Sequence, residues 1–315
     1  MKRVLVTGGA GFVGANLTRR LLEAGHDVTL LVRAGADLWR LDEILGQVKI
    51  VPADLCDGEA VAEAVSASRP EWVFHLAAHG AYPSQTDARQ MVATNIGGTM
   101  NLVEAGLKAG AETIVNTGSS SEYGFKQHPP SEDEVLEPNS HYSWTKAAAT
   151  NYCGYIAQVN DIHLPTLRLY SVFGPYEEPG RLMPALVARG LKGELPPLVG
   201  PDIARDFVYV DDVTDAYLLA AQLKGSRKGP VYNVGSGIQT TIAGAVEVAR
   251  KCLDISQEPQ WGSMEQRKWD STSWVSDNRR IVAELGWRPR TEFPAAFELF
   301  VEWFRARPEL AARYA

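Results

Sequence analysis

The chain has 315 residues, of which 45% are hydrophobic and 22% are charged, close to the averages of soluble globular proteins. This length suits about two domains, and the composition excludes intrinsic disorder. The net charge of -7 argues against a nucleic-acid binder, and no run of about eighteen apolar residues could span a membrane. Three scattered cysteines, Cys56, Cys153 and Cys252, predict neither disulfides nor a zinc site, so we expect a cytoplasmic protein without a metal.

Strand-like segments alternate with helix-like segments through the first half of the chain. Most of the strand-like segments are continuous apolar runs, which are typical of a parallel sheet covered on both faces. After the first of them, apolar residues recur at helical spacing, as in Phe12, Val13 and Leu17. Because right-handed crossovers place helices on both sides of such a sheet, the alternation predicts a doubly wound α/β fold. The predicted strands are residues 3–7, 28–32, 48–52, 72–76, 113–116 and 164–170.

The pattern changes from about residue 174, where prolines become frequent and the regular alternation stops. A helix at 211–223 and a strand at 230–234 then return to the earlier pattern. We therefore predict a larger domain formed by residues 1–173 and 206–237. The remaining segments, 174–205 and 238–315, predict a smaller, discontinuous α/β domain.

A glycine-rich turn, Thr7-Gly8-Gly9-Ala10-Gly11-Phe12-Val13-Gly14, joins the first strand to the first helix. Its glycines let backbone amides approach a pyrophosphate closely, and the start of the helix attracts negative charge. A tight turn without a ligand is the alternative, but the position in the first strand–helix unit favours nucleotide binding. The sequence therefore predicts a Rossmann dinucleotide site that includes Gly8, Gly11, Phe12, Val13 and Gly14.

Further cofactor contacts are predicted where the third and fourth strands end, because ligands of such sheets lie at the carboxyl ends of the strands. Asp54 and Leu55 follow the third strand, where the carboxylate can accept a hydrogen bond from an adenine amino group. The alternative role for Asp54 is a helix cap. Leu76, Ala77 and Ala78 follow the fourth strand, and the small residues among them let a ribose lie against the backbone.

Tyr142 and Lys146 lie four residues apart in a segment predicted to be helical, which places both side chains on one face. A nearby ammonium favours the phenolate, so this tyrosine can act as an acid or base near neutral pH. The alternative is a surface tyrosine packed against a lysine stem. The fifth strand is followed by the run Ser119-Ser120-Ser121-Glu122, whose hydroxyls suit hydrogen bonds to a substrate hydroxyl or carbonyl.

These motifs together resemble an extended short-chain dehydrogenase/reductase of the NAD-dependent epimerase/dehydratase family, whose members act on nucleotide-activated sugars. The resemblance runs nearly from end to end of the chain. It is carried by the glycine turn, the serine cluster and the tyrosine–lysine pair, and further by Asp54, His75-Leu76-Ala77-Ala78, Asn95, Leu167-Arg168, Phe173-Gly174-Pro175 and residues 205–213.

The resemblance implies a role for each member of the predicted catalytic group. Tyr142 is expected to be the acid/base, Lys146 to hold the nicotinamide ribose, and Ser119 to bind the reacting oxygen. A loop one residue shorter than usual would move this last role to Ser120. Further expected cofactor contacts are Asn95, Tyr170 and Val172, and the expected substrate contacts near the sheet are Ser84, Ser120, Ser121, Glu122 and Ser171.

The smaller domain carries matching polar residues. Arg205 resembles the arginine that the family places near the substrate pyrophosphate, a task that suits its rigid donor fork. Arg267 and Asp270 resemble the family's Arg-x-x-Asp, which binds the phosphate and the nucleotide ribose; surface salt bridges are the alternative. The resemblance therefore implies a nucleotide-diphosphate sugar as the substrate and a homodimer formed through helices near 95–107 and 142–157.

Three reactions remain open, all by hydride transfer at C4 of the sugar: epimerisation, 4,6-dehydration and 4-keto reduction. Dehydratases need an additional carboxylate acid/base pair, and only Glu122 lies near the serine cluster. Val32 replaces the acid of NAD-binding members, and Ser171 stands where epimerases usually have asparagine. Both features are similar to reductases of CDP-4-keto sugars, so the sequence slightly favours reduction over epimerisation.

The end of the second strand also bears on the cofactor. An acid at this position would repel a 2′-phosphate, whereas Arg33 can form a forked contact with one. The sequence therefore favours NADP(H) over NAD(H), with stacking on the adenine as the alternative role of Arg33.

The sequence leaves two other classes of protein open. One is a catalytically silent nucleotide-binding regulator, which the intact Tyr142–Lys146 pair disfavours. The other is an NADP-dependent reductase of small ketones or aldehydes.

Overall fold

The computed structural model describes residues 1–82, 84–223, 227–265 and 270–314 of the chain. Its strands are β1 (Arg3–Thr7), β2 (Asp27–Val32), β3 (Lys49–Pro52), β4 (Trp72–His75), β5 (Thr113–Ser119), β6 (Thr166–Leu169), β7 (Ser171–Phe173), β8 (Ala204–Arg205), β9 (Phe207–Tyr209), β10 (Val231–Val234) and β11 (Thr240–Thr241). Seven of them form a parallel sheet in the order β3-β2-β1-β4-β5-β6-β10.

The helices are α1 (Phe12–Glu23), α2 (Gly58–Ser68), α3 (Ala88–Met91), α4 (Gly98–Lys108), α5 (His141–Val159), α6 (Leu182–Gly190), α7 (Val210–Gln222), α8 (Ile242–Leu253), α9 (Arg279–Leu285), α10 (Phe293–Arg305) and α11 (Ala311–Tyr314). Short 3-10 helices cover Trp39–Gln47, Ser120–Tyr123 and Pro308–Leu310, and a π-helical turn covers Val92–Gly97. No helix in the described ranges is both long and apolar enough to cross a membrane.

Helices cover both faces of the seven-stranded sheet. Strand side chains alternate between the faces: Val4 and Val6 join one apolar cluster, and Leu5 joins the other. The first cluster includes residues of α1 and α7, and the second includes residues of α2, α4 and α5. From β1 the chain adds β2 and β3 on one side of the sheet, and it then adds β4, β5 and β6 on the other side of β1. This reversal of strand order is typical of a doubly wound fold. The predicted fold class is confirmed.

Two of the strand ends that differ from the prediction lie next to the serine cluster. β5 extends through Ser119, three residues beyond the predicted end, because Ser119 still pairs with Leu169 of β6. β6 is shorter than predicted and ends at Leu169. The next strand, β7, pairs instead with β9, and Ser171 N donates to the Asp206 carbonyl at 2.9 Å.

A second apolar core lies beyond β7 and is rich in aromatic side chains. Phe173 packs edge-on against Phe207 and Phe300, with ring centroids 6.1 and 6.4 Å apart. Trp39, from the segment between β2 and β3, also joins this core and contacts Tyr314 at the end of the described chain. The bounds of the two predicted domains stay a prediction. The second core draws chiefly on β7, β9, α6, α8 and α10.

A fully buried carboxylate, Asp206, joins three distant segments of the chain. Its Oδ1 accepts hydrogen bonds from N and Oγ of Ser236, both at 2.6 Å. Its Oδ2 accepts from Gly237 N at 3.0 Å and from N and Oγ of Ser276 at 2.9 and 2.6 Å. Burial raises the pKa of Asp206, and these hydrogen bonds oppose the shift by stabilising the carboxylate.

Asp206→Ala is expected to lower the free energy of unfolding by about 3 kcal/mol, because it leaves several buried donors without an acceptor. Urea denaturation, compared with the wild type, measures the change. Asp202→Ala is the matched control, since Asp202 is an exposed carboxylate in the same segment. Equal stability of the two variants would contradict the structural role assigned to Asp206.

Candidate functional site

The turn between β1 and α1 is built so closely that only glycine fits at key positions. Gly8 has a φ of +71°, and a Cβ there would lie 2.6 Å from the amide nitrogen of Ala77. A Cβ on Gly14 would lie 2.1 Å from the Gly8 carbonyl oxygen. The first turn of α1 carries no acidic side chain, so nothing there opposes an anion at its amino end. The turn therefore presents backbone amides at the carboxyl edge of the sheet, as a pyrophosphate requires.

A chain of hydrogen bonds beneath this turn settles the tautomer of His75. Thr99 Oγ1 donates to the Asn95 carbonyl at 2.6 Å, so it accepts from His75 Nε2 at 2.9 Å. His75 Nδ1 then accepts from Thr7 Oγ1 at 2.7 Å, which in turn accepts from Ala77 N at 3.3 Å. Burial lowers the pKa of His75 to about 3, with a smaller effect from the Lys146 ammonium. His75 is thus a neutral connection between β1, β4 and α4.

Asn95 lies in the π-helical turn and is almost completely buried. Its Oδ1 accepts from His79 N at 2.7 Å, and its Nδ2 donates to the His79 carbonyl at 2.8 Å and to Thr145 Oγ1 at 2.9 Å. Thr145 Oγ1 donates in turn to the Tyr142 carbonyl at 2.8 Å. The side-chain amide of Asn95 therefore joins the loop after β4 to the first turn of α5. Its direct contact with a cofactor stays a prediction.

The structure brings Ser119, Tyr142 and Lys146 together at the ends of β5 and α5. Ser140 caps α5 through a reciprocal pair of hydrogen bonds with Ser143, which sets the start of the helix. The Ser119 side chain lies near enough to the Tyr142 hydroxyl to lower its pKa. Ser119 therefore stays the predicted hydroxyl partner of Tyr142.

The protonation of Tyr142 and Lys146 is governed mainly by burial. Burial raises the pKa of Tyr142 to about 12, and the Ser119 hydrogen bond opposes this shift. Burial lowers the pKa of Lys146, and the Glu122 carboxylate opposes that shift. Desolvation of the phenolate outweighs the opposite effects of Ser119 and Arg181 on the pKa of Tyr142. The effect expected of Lys146 on Tyr142 stays a prediction.

Glu122, which is predicted to contact the substrate, has a side chain that the protein itself encloses. The carboxylate is fully buried behind the serine cluster. Its Oε2 pairs with Arg168 Nε at 2.9 Å, and its Oε1 accepts from Ser119 N at 2.8 Å and from Thr150 Oγ1 at 3.1 Å. Both oxygens are therefore occupied by protein donors.

The other two serines of the cluster, Ser120 and Ser121, have different contacts. Ser121 N donates to Ser119 Oγ at 3.2 Å, and the two hydroxyls are 2.8 Å apart. Ser120 is buried and faces a narrow cavity with Tyr170 and Trp274. The Tyr170 hydroxyl has no hydrogen-bond partner among the described residues, and burial raises its pKa. This cavity lies between the serine cluster and the segment that joins α8 to α9.

The remaining predicted site residues differ in their exposure and in their contacts. Asp54 is exposed and its Oδ1 accepts from Cys56 N at 2.9 Å, whereas Leu55 is buried beneath α4. Arg33 is exposed directly after β2 and makes no side-chain hydrogen bond or ion pair with any described residue. Ser84 lies on an exposed turn. The partly buried positions are Phe12, Val13, Leu76, Ala77, Ala78, Ser171 and Val172, of which Val172 packs against the first core.

Two of the three polar residues predicted in the smaller domain lie together. Arg205 Nη2 donates to Asp270 Oδ1 at 2.6 Å, and the Arg205 guanidinium lies 5.8 Å from the ring centre of Trp274. Arg267 lies outside the described residues. Because Trp274 also lines the narrow cavity at Ser120, this pair lies near that cavity.

Sequence reasoning missed two residues close to Tyr142. Arg181, at the start of α6, lowers the pKa of Tyr142 through its charge, and Tyr82 acts in the opposite direction. Arg181 Nη2 also donates to the Ala81 carbonyl at 3.4 Å. The only local signal for Arg181 is its position in a Pro-Gly-Arg run after the proline-rich turn, which does not by itself place it near Tyr142.

A parallel sheet with a dinucleotide-type turn and a Ser–Tyr–Lys group at its carboxyl edge defines the class of extended short-chain dehydrogenase/reductases. Within that class, the chain belongs to the NAD dependent epimerase/dehydratase family, whose sequence model matches residues 4–235. The family resemblance found in the sequence is confirmed.

Individual relatives cover nearly the whole chain. The chain is 31% identical over 317 residues to a UDP-glucose 4-epimerase of Mycolicibacterium smegmatis, covering 98% of this chain and 100% of the relative. The crystal structure of a UDP-glucose 4-epimerase from Thermotoga maritima with UDP-glucose is similar with a TM-score of 0.87, 27% identity, and coverage of 97% and 99%. A UDP-glucose 4-epimerase of Thermus thermophilus in complex with NAD has a TM-score of 0.85, 29% identity, and coverage of 96% and 98%.

His75 is expected to remain neutral and protonated on Nε2 at pH 5, because its pKa is lowered to about 3. An unfolded chain binds a proton at this histidine below about pH 6.5. The free energy of unfolding should therefore fall as the pH drops from about 6.5 towards 3. Long-range proton–nitrogen NMR between pH 8 and 5 measures the ring nitrogens directly, and imidazolium shifts at pH 5 would contradict the assigned network.

Proposed function

We propose that the protein is a nucleotide-sugar 4-epimerase that uses tightly bound NAD and acts on a UDP-hexose. The observation that carries this proposal is the Ser119–Tyr142–Lys146 group beside the glycine turn, with no carboxylate facing it from the serine cluster. The family match and the UDP-glucose 4-epimerases among its relatives support it.

The residues at the sheet edge fit a dinucleotide. The Gly8–Gly14 turn suits the pyrophosphate, and exposed Asp54 suits the adenine. The buried Lys146 ammonium has no ion-pair partner within 4 Å among the described side chains, which leaves it able to bind ribose hydroxyls. When bound, the nicotinamide supplies the site that takes up and returns a hydride.

The proton chemistry falls to the protein. Tyr142 takes the proton of the sugar C4 hydroxyl and later returns it, and the Ser119 hydroxyl orients the reacting oxygen. Because burial raises the pKa of Tyr142 to about 12, the tyrosine needs added positive charge to act as a base near neutral pH. Arg181 lowers the pKa of Tyr142 through its charge, and Lys146 and a bound oxidised nicotinamide would add positive charge.

The position of Glu122 favours epimerisation over 4,6-dehydration. Dehydration requires a carboxylic acid/base pair that reaches the substrate, whereas both oxygens of Glu122 are held by Arg168, Ser119 and Thr150. The preference for 4-keto reduction that Val32 and Ser171 suggested has no support among the relatives. Reduction remains the second candidate because those two residues are unusual for an epimerase.

The substrate assignment rests on the smaller domain. Arg205 and Asp270 lie side by side near the cavity lined by Ser120 and Trp274. A guanidinium suits a pyrophosphate, and a carboxylate suits ribose hydroxyls. We place the UDP moiety there, with Arg267 as a further phosphate contact. Ser84, Ser120, Ser121 and Ser171 then stand nearer to the sugar.

We also propose that the chain forms a homodimer through α4 and α5. These helices expose a row of large apolar side chains that a solvent-facing helix rarely carries. The exposed members of the row are Met100, Trp144, Tyr155 and Val159.

Tyr142→Phe is expected to reduce the interconversion of UDP-glucose and UDP-galactose by about two to four decades, because it removes the positioned acid/base. NAD binding should change little. Turnover is measured by proton NMR of the purified protein without added cofactor. Tyr232→Phe is the matched control, since it removes a tyrosine hydroxyl that donates to Glu284 at 2.9 Å and belongs to neither the site nor the proposed interface. Turnover that consumes one added reduced cofactor per product would favour 4-keto reduction instead.

The cofactor is expected to be NAD, contrary to the NADP(H) preference that Val32 and Arg33 suggested. Mass spectrometry of nucleotides released from the purified protein identifies it. Arg33→Ala should change the Kd of NAD less than about fivefold, since an exposed charge is worth about 1 kcal/mol or less. Tighter binding of NADP, lost in Arg33→Ala, would restore the NADP assignment.

A further inference from the structure

Glu122 occupies a junction between the catalytic strand and the catalytic helix. Its Oε1 accepts hydrogen bonds from Ser119 N, at the end of β5, and from Thr150 Oγ1, on α5. Thr150 lies one turn beyond Lys146 and two turns beyond Tyr142 on α5. Its hydrogen bond to Glu122 therefore holds the helix that carries both residues. One carboxylate oxygen thus spans the two elements that meet at the Ser119–Tyr142 contact.

A buried cation compensates the charge of Glu122. Arg168 of β6 pairs with Oε2 at 2.9 Å, and both side chains are at most 3% exposed. Arg168 Nη1 also donates to the Tyr123 hydroxyl at 2.8 Å and to the Glu132 carbonyl at 3.3 Å. The pair is therefore held by further hydrogen bonds, as a buried ion pair requires.

The backbone leaves space for this carboxylate at one specific point. A Cβ on Gly118 would lie 2.8 Å from Glu122 Oε1 and 2.9 Å from the Thr166 side chain. Glycine at the penultimate position of β5 therefore lets the carboxylate reach Ser119 N. Ser119 Oγ and the Glu122 side chain also cap the 3-10 turn Ser120–Tyr123 reciprocally.

We propose that Glu122 is a positioning residue, which sets Ser119 in register with Tyr142 by joining the end of β5 to α5. The inference rests on the proposed function for its catalytic consequence. It differs from the role first predicted for Glu122, since the carboxylate acts through Ser119 and Thr150 without reaching the substrate.

The charges around Glu122 are consistent with this role. Arg168 faces it from β6, and Lys146, Tyr142 and Cys153 face it from α5. Burial lowers the pKa of Lys146, and the Glu122 carboxylate raises it again. Removing that negative charge should therefore let Lys146 lose its proton at a lower pH.

The first test breaks the link to α5 while leaving the ion pair intact. Thr150→Val should lower kcat about two- to tenfold, the value of one buried hydrogen bond, with little change in KM or NAD affinity. Thr150→Ser, which keeps the hydroxyl, should restore kcat. Wild-type kcat in Thr150→Val would overturn the positioning role.

The second test removes the charge and reads Lys146 without substrate. In Glu122→Gln, the Lys146 side chain, labelled with carbon-13 and identified with Lys146→Ala, should titrate at a lower pH than in the wild type. Tyr123→Phe is the control: it removes another Arg168 contact of the same network, so it should lower stability without moving this titration.

The outcomes separate the two proposals. If wild-type protein does not turn over UDP-sugars, the proposed function fails, while the Lys146 titration still decides the role of Glu122. An unchanged titration in folded Glu122→Gln overturns that role whatever the reaction is. If Glu122→Gln does not fold, because Arg168 is left as an uncompensated buried charge, the Thr150 variants decide it.

Discussion

The buried Asp206 carboxylate is the interaction on which the relation between the sheet and the second core depends. Five hydrogen bonds from Ser236 and Ser276 and from the backbone of Gly237 converge on it. Gly235 is needed beside it, since a Cβ there would lie 2.6 Å from Oδ2. Because Arg205 precedes Asp206 directly, the same junction sets where the substrate-side cation stands relative to the sheet edge.

Burial controls the chemistry of the site more than simple proximity of charges does. His75 is kept neutral, Tyr142 is kept protonated and Lys146 is made easier to deprotonate, each chiefly by loss of water. Opposing contacts from Ser119 and Glu122 moderate the last two effects. The protonation states of these groups are therefore set by the protein, and a bound cation would lower the pKa of Tyr142. Such a site suits a reaction in which one group takes up a proton and later returns it.

The direction of a single carboxylate separates the reactions open to this fold. A carboxyl group beside the serines would supply the acid and base of a dehydratase if it faced the sugar. In this chain Glu122 is buried, where it pairs with Arg168 and accepts a hydrogen bond from Ser119 N.

The sequence by itself determined the features that depend on local pattern. Apolar runs predicted the parallel sheet, the glycine spacing predicted the turn after β1, and the interval between Tyr142 and Lys146 predicted one helical face. Only the tertiary structure decided that Glu122 pairs with Arg168, that Asn95 joins two loops, and that Arg181 approaches Tyr142. The physical reason is that helix and strand periodicity is set by neighbouring residues, whereas the direction and protonation of a buried polar side chain depend on partners far away in the chain.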